Sequence, residues 1–354
     1  MKRTVTVEPI EETVELADGQ TILDACLRAG VWLPHACGHG LCGTCKVEVL
    51  DGDVDHGAAS PFALMDFERE EGFTLACSAT ARSDLVIEAD IDIDPDAVIR
   101  PVRDHVGRVS RLEHLTSDIL GIWITVDDGM EFQAGQYLNL TVEGVDGPRA
   151  FSFANSPSTT HEVELHVRLV PGGAATPKLH TELSVGDEVR FSGPYGRFFV
   201  RRSAEKPMLF LAGGSGLSSP KSMVLDLLET GCAHPITLVH GVRTSADAYF
   251  GDLFRSLEAE HPNFRYVPAL SQPGETDAGW TGETGFVHEV AERLFDGSFK
   301  GMSAYLCGPP PMIEACIRTL MKGRLFERDI FTERFVTAAD GESGLSKSPL
   351  FKRV

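Results

Sequence analysis

Hydrophobic and polar residues follow three patterns along the chain, and each pattern occupies its own stretch. In residues 1–94, the alternation in TVTVE and TVELA predicts a hairpin. TILDACLRAG predicts a short helix with Thr21 as its N-cap and Gly30 just past its end, and KVEVL predicts a further strand. We therefore expect a small α+β domain in this stretch.

The other two patterns predict a β-barrel followed by an α/β domain. Residues 103–203 contain short alternating segments separated by turn residues, which is typical of an antiparallel barrel. In residues 204–338, apolar runs such as PMLFLAG alternate with helical patterns such as PKSMVLDLLET, which predicts a parallel sheet with helices on both faces. The acidic, proline-containing stretch 95–102 is interpreted as a linker, and the polar stretch 339–354 as a C-terminal tail.

Composition narrows the function classes. The 354 residues are 42% hydrophobic and 24% charged, as in globular proteins, and the net charge of −20 argues against nucleic acid or an anionic membrane as partner. No apolar run is long enough to span a bilayer and no signal peptide is recognisable, so we expect a cytoplasmic location. Residues 1–94 contain six Lys/Arg and nineteen Asp/Glu. This excess suits the steering of a basic protein partner, and it equally suits solubility.

Four cysteines carry the strongest chemical signal. Cys37, Cys42 and Cys45 have C-x4-C-x2-C spacing, and 31 residues separate Cys45 from Cys77. In a reducing compartment disulfides are disfavoured, and this spacing is the plant-type pattern for a [2Fe–2S] cluster. The loop also contains glycines, which adopt the left-handed backbone that such a loop needs: Gly38, Gly40 and Gly43.

Other interpretations of the cysteine loop are weaker. A structural zinc site usually shows two C-x2-C pairs, and only Cys42 and Cys45 form one. A Rieske centre binds its cluster through two Cys/His segments. Cys37-Gly38-His39 resembles the first, and no Cys-x2-His segment supplies the second. A redox sensor could use the same cluster, but it would not need binding sites for flavin and nicotinamide. A zinc-stabilised nucleotide-binding protein is a further alternative.

Two further regions suggest nucleotide cofactors. RAFSF (149–153) contains residue types that bind a flavin nucleotide: an arginine can pair with a phosphate, and a serine hydroxyl can hydrogen-bond to a flavin ring nitrogen. Its two phenylalanines could pack on the flavin ring or in the barrel core. The glycine turn of HVRLVPGGAAT (166–176) offers N–H groups to a pyrophosphate. FLAGGSGLSSP (210–220) reads as strand, glycine turn and helix, and CGPPPM (307–312) begins another strand–helix pair.

In these stretches the chain resembles the ferredoxin–NADP reductase superfamily joined to a plant-type ferredoxin domain of β-grasp fold. Within that superfamily it is most similar to the reductase components of bacterial multicomponent monooxygenases, those of phenol hydroxylases in particular. The likeness covers almost the whole chain, and ASPFALMD and GRLFERDIFTERF point to the narrower family.

The resemblance implies particular site residues. The cluster ligands are Cys37, Cys42, Cys45 and Cys77. The FAD-binding residues are Arg149, Phe151, Ser152, Phe153, His166, Val167, Arg168, Gly173, Ala174, Ala175, Thr176 and Phe335. The NADH-binding residues are Gly213, Gly214, Ser215, Gly216, Cys307 and Gly308. Asp247, in the segment after the second strand of the α/β domain, is expected near the ribose of the nucleotide. Ser152 and Cys307 are the expected catalytic pair, and Phe151 stands where the family usually has tyrosine.

The implied activity is electron transfer from NADH through FAD and the [2Fe–2S] cluster to a di-iron hydroxylase that acts on phenol or a similar aromatic compound, with a regulatory protein as a further partner. NADH is favoured over NADPH because HGVRTSADAYF (240–250) contains one basic residue, Arg243. The alternatives are the reductase of a toluene, alkene or alkane monooxygenase, the reductase of a Rieske dioxygenase, or a flavin reductase that releases free flavin.

Overall fold

A computed structural model of the chain describes residues 2–35, 38, 40–91 and 94–335, which divide after Arg103 into two units. The predicted tail, 339–354, lies outside the described residues. No helix in the described part of the chain is long and apolar enough to cross a bilayer.

The described residues of the first unit form seven strands and two helices: β1 (Arg3–Glu8), β2 (Glu12–Leu16), α1 (Ile22–Ala29), β3 (Lys46–Asp51), β4 (Val54–Asp55), α2 (Asp66–Glu70), β5 (Phe73–Leu75), β6 (Thr80–Ala81) and β7 (Leu85–Glu88). Five strands make one sheet in the order β2-β1-β7-β3-β5, and β4 pairs with β6. Strands β1 and β7 run parallel, while the other paired neighbours run antiparallel. The predicted α+β domain is confirmed.

Helix α1 shows how local sequence sets an element. The Thr21 side chain accepts a hydrogen bond from the Asp24 backbone N–H, and Gly30 ends the helix with a φ of 82°. One turn along, Arg28 donates to the Asp24 carboxylate at 2.9 Å. Both predicted ends of this helix are therefore confirmed, and its apolar face lies in the core of the unit.

The second unit begins with a barrel: β8 (Arg103–His114), β9 (Ile119–Thr125), β10 (Tyr137–Thr141), β11 (Arg149–Ser152), β12 (Glu162–Arg168), α3 (Thr176–Thr181) and β13 (Glu188–Tyr195). The strand order is β11-β10-β13-β8-β9-β12, and a bridge between Phe153 and Leu165 connects the two edge strands. Along β12, Val163, Leu165 and Val167 enter the barrel core. Because side chains alternate across a strand, Glu164 and His166 leave on the opposite face.

The rest of the unit is a parallel sheet with helices: β14 (Met208–Gly213), α4 (Ser218–Glu229), β15 (Ile236–Val242), α5 (Gly251–Glu260), β16 (Phe264–Leu270), β17 (Glu283–Thr284), α6 (Val287–Leu294), β18 (Ser303–Gly308), α7 (Pro310–Lys322) and β19 (Ile330–Arg334). The strand order is β17-β16-β15-β14-β18-β19. The chain reverses its winding between β14 and β18. Ligands of such sheets bind at the carboxyl ends of the strands beside this reversal, where Gly213 and Gly308 lie.

Candidate functional site

The cysteine loop has the backbone that its glycines predict. Gly38, Gly40 and Gly43 have φ values of 71°, 73° and 72°. An added Cβ on Gly40 would lie 3.1 Å from the Ala58 carbonyl oxygen, which leaves little room for a side chain. Left-handed residues allow a loop to turn its backbone N–H groups toward a bound cluster.

Three of the four predicted cluster ligands lie in this region, and Cys37 lies outside the described residues. The Gly40 N–H donates to the Cys77 Sγ at 3.2 Å, the contact expected for an anionic sulfur. Within the described ranges no group of three or more His, Cys, Asp or Glu side chains is placed to hold a metal ion. A two-iron cluster divides four thiolates between its irons, so Cys42, Cys45 and Cys77 fit it.

Residues of the flavin motif lie in two places: Ser152 at the candidate site and Phe153 in the core of the barrel. Ser152 ends β11, and its hydroxyl points to the carboxyl ends of the parallel strands, where it donates to Glu333 at 3.2 Å. Phe153 is fully buried and stacks on Phe132 in the barrel core, with ring centroids 4.1 Å apart. The Arg149 guanidinium donates to carbonyl groups of its own turn, residues 146–148. Flavin contacts of Phe153 and Arg149 therefore stay predictions.

The remaining predicted FAD residues follow β12. Val167 faces the barrel core, while His166 is buried on the opposite face of the strand. Arg168 is exposed and pairs with Asp118 at 3.1 Å. The turn that follows contains Gly173, Ala174 and Ala175, and the Thr176 hydroxyl that starts α3 accepts from the Val170 N–H. This glycine-containing turn before a helix suits a pyrophosphate, and the described geometry leaves that role as a prediction.

The predicted nicotinamide segments lie against each other. An added Cβ on Gly216 would lie 2.3 Å from the Cys307 carbonyl oxygen, so only glycine lets the GGSG loop approach the CGP segment this closely. The Phe335 N–H donates to the Gly308 carbonyl at 3.0 Å, which brings the C-terminal aromatic residue beside that segment. The Asp247 carboxylate instead caps its own turn by accepting from Thr244, so its ribose contact stays a prediction.

One carboxyl group connects the flavin and nicotinamide motifs. Glu333, which our sequence analysis missed, accepts from Ser152 at 3.2 Å, from Ser219 at 2.5 Å and from the Cys307 thiol at 3.6 Å. Burial raises the pKa of Glu333 to about 7, against the opposing effect of its hydrogen-bond donors. Burial and the neighbouring Glu333 also raise the pKa of the Cys307 thiol, which therefore stays protonated. The site holds an exchangeable proton near neutral pH.

The position of Glu333 follows from strand register. β19 pairs in parallel with β18 so that Glu333 lies opposite Cys307. One feature of the sequence could have predicted Glu333 as a site residue. Glu333 has the carboxylate closest to Phe335 along the chain, two positions before it in GRLFERDIFTERF, the segment that points to the narrower family.

A buried polar network lies on the outer face of β12. The Lys221 ammonium donates to the Glu164 carboxylate at 2.7 Å and to the Ala154 carbonyl at 3.0 Å. Burial opposes ionisation of Glu164, yet the His166 hydrogen bond and the Lys221 charge lower its pKa to about 2. The Tyr249 hydroxyl, 3.4 Å from His166, donates to the Gly214 carbonyl at 3.1 Å. The network thus connects the barrel to the GGSG loop.

We predict that Glu333 sets the pH dependence of flavin reduction. A carboxylate at the reacting centre disfavours arrival of a hydride because like charges repel, so the rate should fall by roughly tenfold as pH rises through about 7. Glu333→Gln cannot titrate and should give a flat profile near the low-pH rate. Stopped-flow absorption between pH 6 and 9 checks this, with Glu229→Gln on α4 as control. An unchanged slope in the Glu333 variant contradicts the assignment.

Comparisons with known proteins agree with this geometry. Family models match three stretches: a 2Fe-2S iron-sulfur cluster binding domain at 5–82, an oxidoreductase FAD-binding domain at 109–200 and an oxidoreductase NAD-binding domain at 210–318. These domains in one chain define an iron–sulfur flavoprotein that oxidises a reduced nicotinamide. The predicted three-part fold is confirmed, as are the two predicted cofactors, FAD and the [2Fe–2S] cluster, and a domain that binds the nicotinamide substrate.

Full-length relatives give the family. The chain is 61% identical to the phenol 2-monooxygenase reductase component of Pseudomonas sp. (strain CF600) and 55% identical to the phenol hydroxylase P5 protein of Acinetobacter pittii (strain PHEA-2), each over 100% of both chains. An Amycolatopsis cytochrome P450 reductase of known structure is 36% identical with a TM-score of 0.87, over 95% of this chain and 99% of that one. The chain belongs to the family of phenol hydroxylase reductase components, as its motifs indicated.

Proposed function

We propose that this protein passes electrons from NADH, through FAD and a [2Fe–2S] cluster, to the di-iron hydroxylase of a multicomponent phenol hydroxylase in the cytoplasm, with a regulatory protein as a further partner. One observation carries the proposal. Ser152 of the flavin motif and Cys307 of the nicotinamide segment, 155 positions apart, donate to the same Glu333 oxygen. This shared contact supports a single site for flavin and nicotinamide, as hydride transfer requires.

Bound FAD supplies an acceptor for the hydride of NADH, and a bound cluster supplies single-electron transfer. The chain's own residues position these groups. Ser152 orients its hydroxyl at the end of β11, Glu333 accepts from it with a carboxyl whose pKa is about 7, and Gly216 lets the nucleotide loop approach Cys307. Lys221 fixes the Ala154 carbonyl, so the segment that follows Ser152 keeps its place against α4. These contacts hold the reacting groups in one geometry.

Reconstitution tests the proposal. The purified protein is combined with the hydroxylase and regulatory components of a phenol hydroxylase, and NADH oxidation, oxygen uptake and hydroxylated product are measured together. We expect all three to depend on phenol. Faster delivery of electrons to the oxygenase of a toluene, alkene or alkane monooxygenase, or to a Rieske dioxygenase, would instead favour the alternative partners. Release of free reduced flavin would contradict a tightly bound relay.

We predict that NADH is preferred over NADPH by roughly ten- to a hundredfold in kcat/KM. Arg243, the only basic side chain in residues 241–250, already pairs with Asp118 at 3.4 Å and Asp247 at 3.7 Å. A 2′-phosphate would meet these carboxylates without an unengaged cation in that segment. Asp118→Asn should weaken the preference because it removes one negative charge, releases Arg168 and leaves Arg243 paired with Asp247 alone. Equal use of both nucleotides by the unsubstituted protein would contradict this prediction.

A further inference from the structure

Four large apolar side chains are exposed next to the cysteine loop. Phe62 is 93% exposed, Leu41 66%, Phe67 52% and Met65 47%. Exposed apolar groups that cluster in this way mark interaction sites, because isolated ones are ordinary but neighbouring ones are costly in water. We call these four residues the apolar patch.

Backbone contacts place Leu41 and Phe62 on two loops that touch. The Ser60 N–H donates to the Gly40 carbonyl at 2.9 Å, and an added Cβ on Gly43 would lie 3.2 Å from the Ala63 carbonyl oxygen. Leu41 directly follows the first of these glycines, and Phe62 lies between Ser60 and Ala63. The patch is therefore part of the surface that the cysteine loop itself forms.

The side of the patch formed by α2 is held in place. The Arg69 guanidinium donates to the Ala59 carbonyl at 3.2 Å, and Lys46 pairs with Glu68. The other carboxylate oxygen of Glu68 accepts from the Met65 N–H at 2.9 Å. Helix α2 has no buried residue, so these bonds fix a segment that contributes nothing to the core. A surface fixed in advance loses little conformational entropy when it binds.

Charge indicates what covers the patch. Asp66, Glu70 and Glu71 beside it are exposed, and among the described residues their carboxylates form no ion pair. Residues 1–94 have a net charge of −13 and residues 95–354 of −7. A second copy of the chain would therefore bring like charge to this surface. A partner with an apolar contact surface rimmed by Lys and Arg side chains is complementary.

We propose that the apolar patch is the docking surface for the electron-accepting oxygenase component, with Phe62 as its main anchor. This inference rests on the proposed function, which supplies the acceptor. A large aromatic side chain inserted into an apolar pocket commonly dominates the binding energy, and the acidic rim of α2 speeds encounter. Docking here brings the partner to the cysteine loop, where the electron leaves.

The test compares Phe62→Ala with Phe326→Ala, a control of the same residue type that is 57% exposed in the second unit. Binding of the FAD- and cluster-loaded protein to the purified oxygenase component of a phenol hydroxylase is measured at low and high salt. We expect Phe62→Ala to weaken binding by about tenfold or more and Phe326→Ala to leave it unchanged. For the unsubstituted protein, affinity should fall as salt rises.

Stopped-flow reduction of the flavin and of the cluster by NADH is recorded for the same variants without the partner, and we expect no change. Wild-type affinity in Phe62→Ala overturns the docking proposal. Slower flavin-to-cluster transfer in that variant with unaltered binding overturns it too, since the patch would then contact the chain's own second unit. If the unsubstituted protein neither reduces its cluster nor binds the oxygenase component, the proposed function itself fails, and the docking proposal fails with it.

Discussion

Replacement of Cys77 by alanine is expected to remove the [2Fe–2S] cluster and to stop electron delivery to one-electron acceptors, while NADH still reduces the flavin. Cys77 is buried and its sulfur accepts from Gly40, so the loop is built around this atom. The other predicted ligands among the described residues, Cys42 and Cys45, cannot complete a four-thiolate site without it. Low-temperature EPR of the NADH-reduced protein should fall from about one spin per chain to none.

Cys26→Ala is the matched control for the cluster. Cys26 is buried in α1 of the same unit, and burial raises the pKa of its thiol to about 12, which makes it a poor thiolate ligand. This variant should keep the full EPR signal and the full rate of cytochrome c reduction. A Cys77 variant that retains the wild-type signal would show that the cluster does not bind at this loop.

Lys221→Met is expected to lower the stability of the second unit by about 3–5 kcal/mol, because it leaves the Glu164 carboxylate buried without its cation. The Lys221 side chain is 5% exposed and that of Glu164 7%, so solvent screening does not soften the loss. Urea unfolding of the FAD-loaded protein, followed by flavin fluorescence, measures it. Slower hydride transfer should accompany the loss, since Lys221 also fixes the Ala154 carbonyl.

Two further variants test whether the loss of stability comes from leaving a charge buried or simply from breaking an ion pair. The double variant Lys221→Met/Glu164→Gln removes the unpaired charge and should recover much of the lost stability. Arg190→Met breaks a surface pair with Glu188, which solvent screens, and should change stability little. Equal effects of the buried and surface substitutions would contradict the role assigned to the Glu164–Lys221 pair.

The sequence predicted elements whose determinants are local and missed those that depend on distant partners. Helix α1 follows from Thr21 and Gly30, and the left-handed glycines of the cysteine loop follow from their positions between cysteines. Strand β19, with the sequence IFTER, has only one fully buried residue, Ile330, so no alternating pattern revealed it. It exists through pairing with β18, which no local signal reports.

The same division applies to the site. Ser152 and Cys307 were named from motifs, and the structure brings both to Glu333. The role of Glu333 depends on the register of β19 against β18 and on the position of the barrel, so it is invisible in the chain order. Phe153 shows the opposite case, because the motif that names a cofactor residue also describes an inward-facing barrel strand.

The most direct test of the electron relay is an anaerobic NADH titration of the purified protein, followed by visible absorption and low-temperature EPR. We expect flavin absorbance to fall while a reduced [2Fe–2S] signal grows to about one spin per chain. If the flavin bleaches while the cluster stays oxidised, the protein does not pass electrons from one cofactor to the other, and its central proposed activity is wrong.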